Sequence, residues 1–480
     1  MSEHLTPPQA VLIGNLWQPG KGATLTVTNP ADESVLATLA AADAAQVDAA
    51  VQTARQALPG WRRLPARQRG ELLRAIASGV DAARERLIAL QMRNNGKPRL
   101  EAELDVQDVI GTFDYYAGLC LQSDGQQPAA VALPDEGFRA SVRREPVGVA
   151  ALIVPWNFPM VTTAWKLAPA LAAGCSVVLK PSELTPLAEI ELLRIIHAAG
   201  LPAGVVNLVC GGGDVGAALS SHPGVDKISF TGSNKSGQAV MRTAAERMAR
   251  VSLELGGKSA LIVLDDAELE QAVQLAVGGA FFNAGQMCSA TARILVAQPL
   301  YAEFVARFAA AAANLRIGGS EADIGPLISA AQYQRVQGYI TQGLADGGRL
   351  LAGGQRPAQH ARGYFLQPTV FAELPAHSRL WREEIFGPVA CVRAFADDAE
   401  AVALANDSDF GLVATVVGGD AARAERLAAE LEVGLAWVNS PQLIFPQTAW
   451  GGCKQSGLGR ELGPWGLAAF QEIRHVVTAI

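Results

Sequence analysis

The chain is short of cysteine. Six thiols (Cys120, Cys175, Cys210, Cys288, Cys391 and Cys453) are scattered through 480 residues with no CxxC pair and no dense framework. That usage fits a reducing compartment and speaks against a zinc site. No apolar run is long enough to span a bilayer. The start, MSEHLTPPQAVLIG, has no basic stretch followed by an apolar core, so no secretory signal is read and a cytoplasmic protein is expected. Positive charge is also in deficit: 39 Lys and Arg against 46 Asp and Glu leave a formal charge of -7. Neither nucleic acid nor an acidic membrane surface is an expected partner. Internal repeats and low-complexity linkers are missing as well. What remains, 50% hydrophobic and 18% charged residues, suits an ordinary globular chain of two or three domains, each able to bury a core.

Residues 41–94 carry helical spacing with little punctuation. From Arg139 the pattern changes, and ASVRREPVGVAALIVPW alternates before turning continuously apolar. This predicts a strand passing from a sheet edge into a core. Short apolar runs (CSVVLKP, GVVNLVCG, KISFTGS, RVSLELGG) then alternate with amphipathic segments of about a dozen residues, the signature of βαβ units and a parallel sheet. A second series runs from SALIVLD through VFAEL to ATVVGG, so two α/β domains are expected. The last residues, FQEIRHVVTAI, alternate like an exposed strand in want of a partner.

Three strand-to-helix junctions could hold phosphate or ribose. GGGDVG, Gly211 to Gly216, formally matches GxGxxG. The acid expected about 20 residues further on is missing, since Lys227 to Ala245 holds no Asp or Glu. A dinucleotide loop and a plain βα turn both remain open. KISFTGSNKSG places Gly232, Ser233 and Gly237 where the backbone can approach a pyrophosphate at a helix N-terminus. VVLKPSE ends a strand with Lys180 and Glu183, two groups able to bond ribose hydroxyls, though each is also a common solvated turn residue.

A second set is nucleophilic. Cys288 stands in FFNAGQMCSATAR and by itself is either a packed core thiol or a nucleophile. Glu254 in VSLELGGKS sits among apolar residues before two glycines, where a buried carboxylate needs a partner or a raised pKa, and a raised pKa suits a general base. Asn157 in VPWNFP is an amide set between prolines just after a buried strand, or a turn residue satisfying its own backbone.

PWNFP, LKPSE, FTGS, LELGGKS, GQMCS, EEIFGP and GGCKQSGLGRELG occur in the order and at the spacing of the aldehyde dehydrogenase superfamily, and the chain resembles it over essentially its whole length. NAGQMCSATAR and WVNSPQLIFPQTAWGGCKQSGLGRELGPWG are most similar to the aminoaldehyde and betaine aldehyde dehydrogenases. The resemblance implies an α/β aldehyde dehydrogenase-like fold: a Rossmann-like NAD-binding domain (1–123 and 147–253), an α/β catalytic domain (254–464) and a small β oligomerisation flap (124–146 and 465–480) that builds a homodimer or homotetramer. It implies Cys288 as nucleophile, Glu254 as base, and Asn157 with the Cys288 backbone N–H as the oxyanion site. Lys166 and Glu461 fall where the family places a proton relay. Lys180, Glu183 and Ser233 would hold the adenosine ribose and pyrophosphate of NAD, Glu384 and Phe386 the nicotinamide ribose and ring, and Trp156, Gly232 and Gly237 would also bind the cofactor. Glu183 implies a preference for NAD+ over NADP+, softened by Lys180. No metal is implied.

Phe158, Trp165, Phe282 and Trp450 fall at positions that line the aldehyde tunnel in similar enzymes, or are ordinary core. Glu101, Asp105 and Asp108 share one face of a helix. They imply either a bound cation or a solvated surface. Phe158 stands where the aminoaldehyde enzymes usually have tyrosine, Phe282 where the plant members usually have tryptophan, and Leu435 is bulky where some acceptors of betaine aldehyde carry a small residue. An ω-aminoaldehyde is therefore the expected substrate, with betaine aldehyde or a general aliphatic aldehyde as alternatives. A CoA-acylating relative would not need Glu254, a non-catalytic NAD-binding descendant would be expected to lose Cys288 or Glu254, and a cofactor-free cysteine hydrolase leaves the nucleotide residues unexplained.

Overall fold

The structure, a computed structural model, describes residues 9–123, 128–319 and 321–480. Met1 to Pro8, part of the start read as lacking a signal, and residues 124–127, the first of the expected flap, lie outside the described residues.

The alternating pattern gives two largely parallel sheets. In the first, Val206–Val209, Ser176–Lys180, Val149–Ile153, Lys227–Thr231 and Arg250–Glu254 lie side by side in that order, all parallel. Chain order thus runs outward from Val149–Ile153 first to one side and then to the other. The reversal leaves a crevice beyond the carboxyl ends of Val149–Ile153 and Lys227–Thr231, where open α/β sheets hold their ligands. Val11–Ile13 and Leu16–Gln18 extend one edge in antiparallel fashion, and Gly457–Leu458 extends the other. Glu254 is therefore the last residue of a strand of the first sheet. That strand takes a neighbour from the segment expected in the catalytic domain.

The second sheet runs Thr369–Ala372, Val389–Phe395, Arg293–Ala297, Ala260–Val263, Val413–Val417 and Leu435–Val438 in parallel, with Arg349–Ala352 antiparallel at one edge. Its central strands are buried along their whole length, which is why they read as unbroken apolar runs rather than alternations. A third sheet pairs Ala129–Val131 and Gln471–Ala479 with the two sides of Phe138–Pro146, so the alternating tail finds its partner in the other alternating segment.

One expectation changes. ASVRREPVGVAALIVPW forms two strands in different sheets, not one. Gly148 breaks it, with φ +135 and a backbone so close to Asp226 that a Cβ would lie 1.9 Å from Oδ2. That oxygen accepts the Val149 N–H at 2.7 Å and fixes the start of the buried strand.

GGGDVG is a βα turn: it follows Val206–Val209 and leads into the helix Gly213–Ser221. Residues 41–94 form three helices, Ala44–Trp61, Ala66–Ala82 and Arg84–Asn94, followed by the long helix Arg99–Ser123. This last helix packs on Pro159–Ala173, in which every residue is buried. Lys166 is the one charge inside that apolar helix, and a buried charge requires a partner. No described helix is long and apolar enough to cross a membrane.

Candidate active site

The crevice opens into a cavity of about 790 Å³. Residues 155–157, 231–233 and 254–256, which end or follow strands of the first sheet, form one wall. Residues 287–289, Glu384, Phe386, residues 440–444 and Pro446, which flank strands of the second, form the other. Cys288, Glu254 and Asn157, separated by up to 131 positions in sequence, all line it.

Cys288 is brought there by a kink. The helix Leu269–Phe281 ends in a turn, Phe282–Gly285, in which Asn283, Ala284 and Gly285 have φ of 51°, 55° and 68°. Left-handed backbone at two non-glycine residues costs on the order of 1–3 kcal/mol each and persists only when neighbours enforce it. Several do. Asn283 Nδ2 donates to the Asn157 carbonyl at 3.0 Å and to the Gln286 carbonyl at 3.2 Å, while Gln286 Oε1 accepts the Ile328 N–H at 2.8 Å. Asn157 Nδ2 donates to the Gln286 carbonyl at 3.0 Å, which commits one of its two N–H groups. Gly257 is needed by close approach, since a Cβ there would lie 2.2 Å from the Cys288 carbonyl oxygen. Gln286, which sequence reasoning passed over, is thus the brace of the loop.

Glu254 is buried, and its Oε1 has no hydrogen-bond partner among the described residues. Burial holds its carboxyl well above the usual carboxylate range, and the Glu461 charge pushes the same way against Lys166. The Trp450 N–H favours the charged form, at a geometry too poor to count as a hydrogen bond. Behind it, Lys166 and Glu461 form a buried ion pair, and Glu461 exchanges two backbone hydrogen bonds with Trp450 at 2.7 and 2.8 Å. Cys288 is half-buried by exposed surface. Burial, then Glu254 and Glu384, raise its thiol well above the ordinary value.

The nucleotide side is built from small residues. Gly232 and Ser233 line the cavity at the switch crevice, and Ser233 caps the helix Asn234–Ala245 by accepting the Ser236 N–H at 3.3 Å. Thr231 Oγ1 beside them is buried without a partner among the described residues. Gly237 does not line the cavity; it lets Leu255 pack on the helix, where a Cβ would lie 2.5 Å from Cδ2. Glu384 Oε1 accepts the Gly257 N–H at 3.0 Å, and burial pushes this carboxyl up to about 7. Trp156 meets Phe386 edge-on at 5.2 Å, and Phe386 itself has φ 60°. Gln332 Nε2 donates to the Phe386 carbonyl at 2.6 Å and Arg335 to the Glu384 carbonyl at 2.9 Å. Neither residue carried a signal in the sequence. Lys180 and Glu183, 3.6 Å apart, lie outside the cavity, with Lys180 beside the Gly211 to Gly216 turn. These junctions fit an extended dinucleotide: a helix N-terminus at the switch point, glycines that a Cβ would block, and polar groups beyond.

The far end is aromatic. Phe158 and Phe282 stack at 6.3 Å, and Trp165 and Trp450 meet at 5.3 Å. Glu101, Asp105 and Asp108 of the Arg99–Ser123 helix do not form a solvated face: Glu101 and Asp105 are buried. Asp105, expected to face a substrate cation, lines the cavity, but its Oδ2 accepts Lys97 Nζ at 2.5 Å and Gln91 Nε2 at 2.6 Å. Lys97, missed in the sequence, also stands 3.7 Å over the Phe158 ring. Asp108 differs. It lines the cavity, and its Oδ1 accepts the Trp165 N–H at 2.7 Å and the Thr112 hydroxyl at 3.2 Å. Burial pushes it up to about 7. Leu435 is not at the cavity; it sits on an edge strand, packed against the core that contains Trp437 and Trp450.

Comparison with known proteins agrees with this architecture. Residues 17–476 match the profile of the Aldehyde dehydrogenase family. Betaine aldehyde dehydrogenase 1 of Oryza sativa subsp. japonica is 43% identical over 98% of this chain and 95% of its own. Aminoaldehyde dehydrogenase 2 of Zea mays is 42% identical over 98% and 96%. The crystal structure of betaine aldehyde dehydrogenase from Staphylococcus aureus in complex with NAD+ superposes with a TM-score of 0.96 at 36% identity, covering 100% of this chain and 98% of that one. With cysteine, glutamate and asparagine converging on one cavity between two parallel sheets, the chain belongs to the aldehyde dehydrogenase family.

Proposed function

We propose that this enzyme oxidises an ω-aminoaldehyde to its acid with NAD+, using Cys288 as nucleophile and Glu254 as base. The observation that carries the reaction is the convergence of these two side chains and Asn157 on one cavity. Cys288 Sγ gives its proton to solvent water and adds to the aldehyde carbon, and Asn157 Nδ2 with the Cys288 N–H stabilises the negative oxygen of the resulting thiohemiacetal. When bound, NAD+ supplies a hydride acceptor and a positive charge near the thiol. Gly232 and Ser233 at the helix N-terminus, with Lys180 and Glu183 beyond, hold its phosphates and adenosine ribose, and Glu384, Phe386 and Trp156 hold its other end. Glu254 then takes a proton from the water that hydrolyses the thioester on Cys288, and the Lys166–Glu461 pair carries that proton away.

The substrate reading rests on Asp108, whose carboxylate shares the cavity with the indoles of Trp165 and Trp450. Relatives named aminoaldehyde and betaine aldehyde dehydrogenases support it. A desolvated cation over an aromatic face is worth about 2 kcal/mol, roughly 30-fold in kcat/KM. We expect 3-aminopropanal to be preferred over butanal by about that factor, and the preference to shrink in Asp108→Asn and Trp450→Ala. Equal kcat/KM for the two aldehydes in the wild type would make this a general aliphatic enzyme.

The same reading assigns residues 1–123 and 147–253 to cofactor binding, 254–464 to catalysis, and the third sheet to assembly. Gln471–Ala479 lies at the edge of that sheet with Ile473 and Val477 exposed. An unpaired apolar edge of this kind invites a second copy, in accord with a cytoplasmic homodimer or homotetramer.

A further inference from the structure

The left-handed turn that presents Cys288 begins at Asn283, and the N–H of Asn283 donates to Glu101 Oε1 at 2.9 Å, 182 positions away in sequence. Glu101 is buried, does not line the cavity, and leaves its Oε2 without a partner among the described residues. It cannot reach an aldehyde from there. What it does touch is the first residue of the kink, whose side chain in turn holds the Asn157 carbonyl. Removing the carboxylate leaves a buried N–H unsatisfied at the place where the backbone is already strained. Burial pushes the Glu101 carboxyl up to about 7, against which the Lys97 charge and the Asn283 N–H favour its charged form.

We propose that Glu101 is a positioning residue: its carboxylate locks the turn Asn283 to Gly285 and so sets the Cys288 thiol against Asn157 and Glu254, for any aldehyde, rather than attracting the charge of the substrate. The proposal rests on Cys288 being the nucleophile, a reading that fails separately if Cys288→Ala remains active. The test compares purified Glu101→Ala and Glu101→Gln for kcat and KM with both 3-aminopropanal and butanal, for the KM of NAD+, and for the rate of Cys288 alkylation by iodoacetamide. A hydrogen bond to a charged group shifts an equilibrium by on the order of 10- to 100-fold, so Glu101→Ala should lose that much kcat on both aldehydes alike. Alkylation should slow with it, while the KM of NAD+ stays within about two-fold. Glu101→Gln keeps a carbonyl acceptor and should recover most of the loss. If Glu101→Ala does not fold, the double variant with Ala284→Gly carries the same comparison, because glycine takes a φ of 55° without strain. A loss confined to 3-aminopropanal, a glutamine variant as poor as alanine, or a folded alanine variant with wild-type kcat would overturn the proposal.

Discussion

Cys288→Ala is expected to abolish aldehyde oxidation while NAD+ binding survives. Cys120, Cys175, Cys210 and Cys391 are buried in the cores, and Cys453 is half-buried outside the cavity, with its Sγ near the carbonyls of Gly411 and Glu432. None of these thiols can replace the one at the kink. Removing the sulfur removes the covalent step itself, not one contribution to its barrier. NAD+ binding, followed by quenching of protein fluorescence, should be near normal, because the groups assigned to the nucleotide lie on other loops. Measurable NADH production by the purified variant, above the rate without enzyme, would show that the thiol is not the nucleophile.

The second large effect is at the base. Glu254→Gln keeps the size of the side chain and removes its ability to take a proton, so turnover should fall by about 10²–10⁴-fold. The loss should be confined to hydrolysis if thioester formation can proceed without the carboxylate. A rapid burst of NADH near one per active site, followed by a slow steady rate, is the pattern to look for. A steady rate close to wild type would mean that another group activates the water.

The surroundings of Glu254 also give a sign to the pH dependence. The Glu461 charge raises the Glu254 pKa and the Lys166 charge lowers it. Glu461→Gln removes the first and leaves the second, so Glu254 should lose its proton at lower pH. The acidic limb of the kcat profile should move down accordingly, whatever happens to the maximum rate. An upward shift would mean that the limb belongs to a different group.

Much of this site is legible in the sequence because its motifs are local. PWNFP, FTGS and LELGG each end a buried strand of the first sheet, and a side chain just past such an end faces the crevice wherever the strands are parallel. The alternation of strands and helices follows from period and composition, whereas the partner of the alternating tail, the strand Phe138–Pro146, is supplied only by the tertiary structure. Leu435 and Gly237 were read from their motifs as site residues, yet their environment is packing: Leu435 against the aromatic core, Gly237 against Leu255. Gln332 and Arg335 carry no pattern at all, because what they hold is the backbone of residues 384–386.

The sequence by itself determined the class of chemistry: a lone cysteine, a glutamate in apolar surroundings and an amide after a buried strand, in the order and spacing of one family. Only the tertiary structure decided what the acidic helix face is for. Glu101, Asp105 and Asp108 are equivalent by helical spacing, but their partners come from elsewhere in the chain. Asp105 is neutralised by Lys97, Glu101 is taken by the backbone of Asn283, and Asp108 alone of the three both lines the cavity and bonds the Trp165 indole. The periodicity of a helix places three carboxylates on one side. What a buried carboxylate then does is set by the cation, N–H or cavity that packing brings against it.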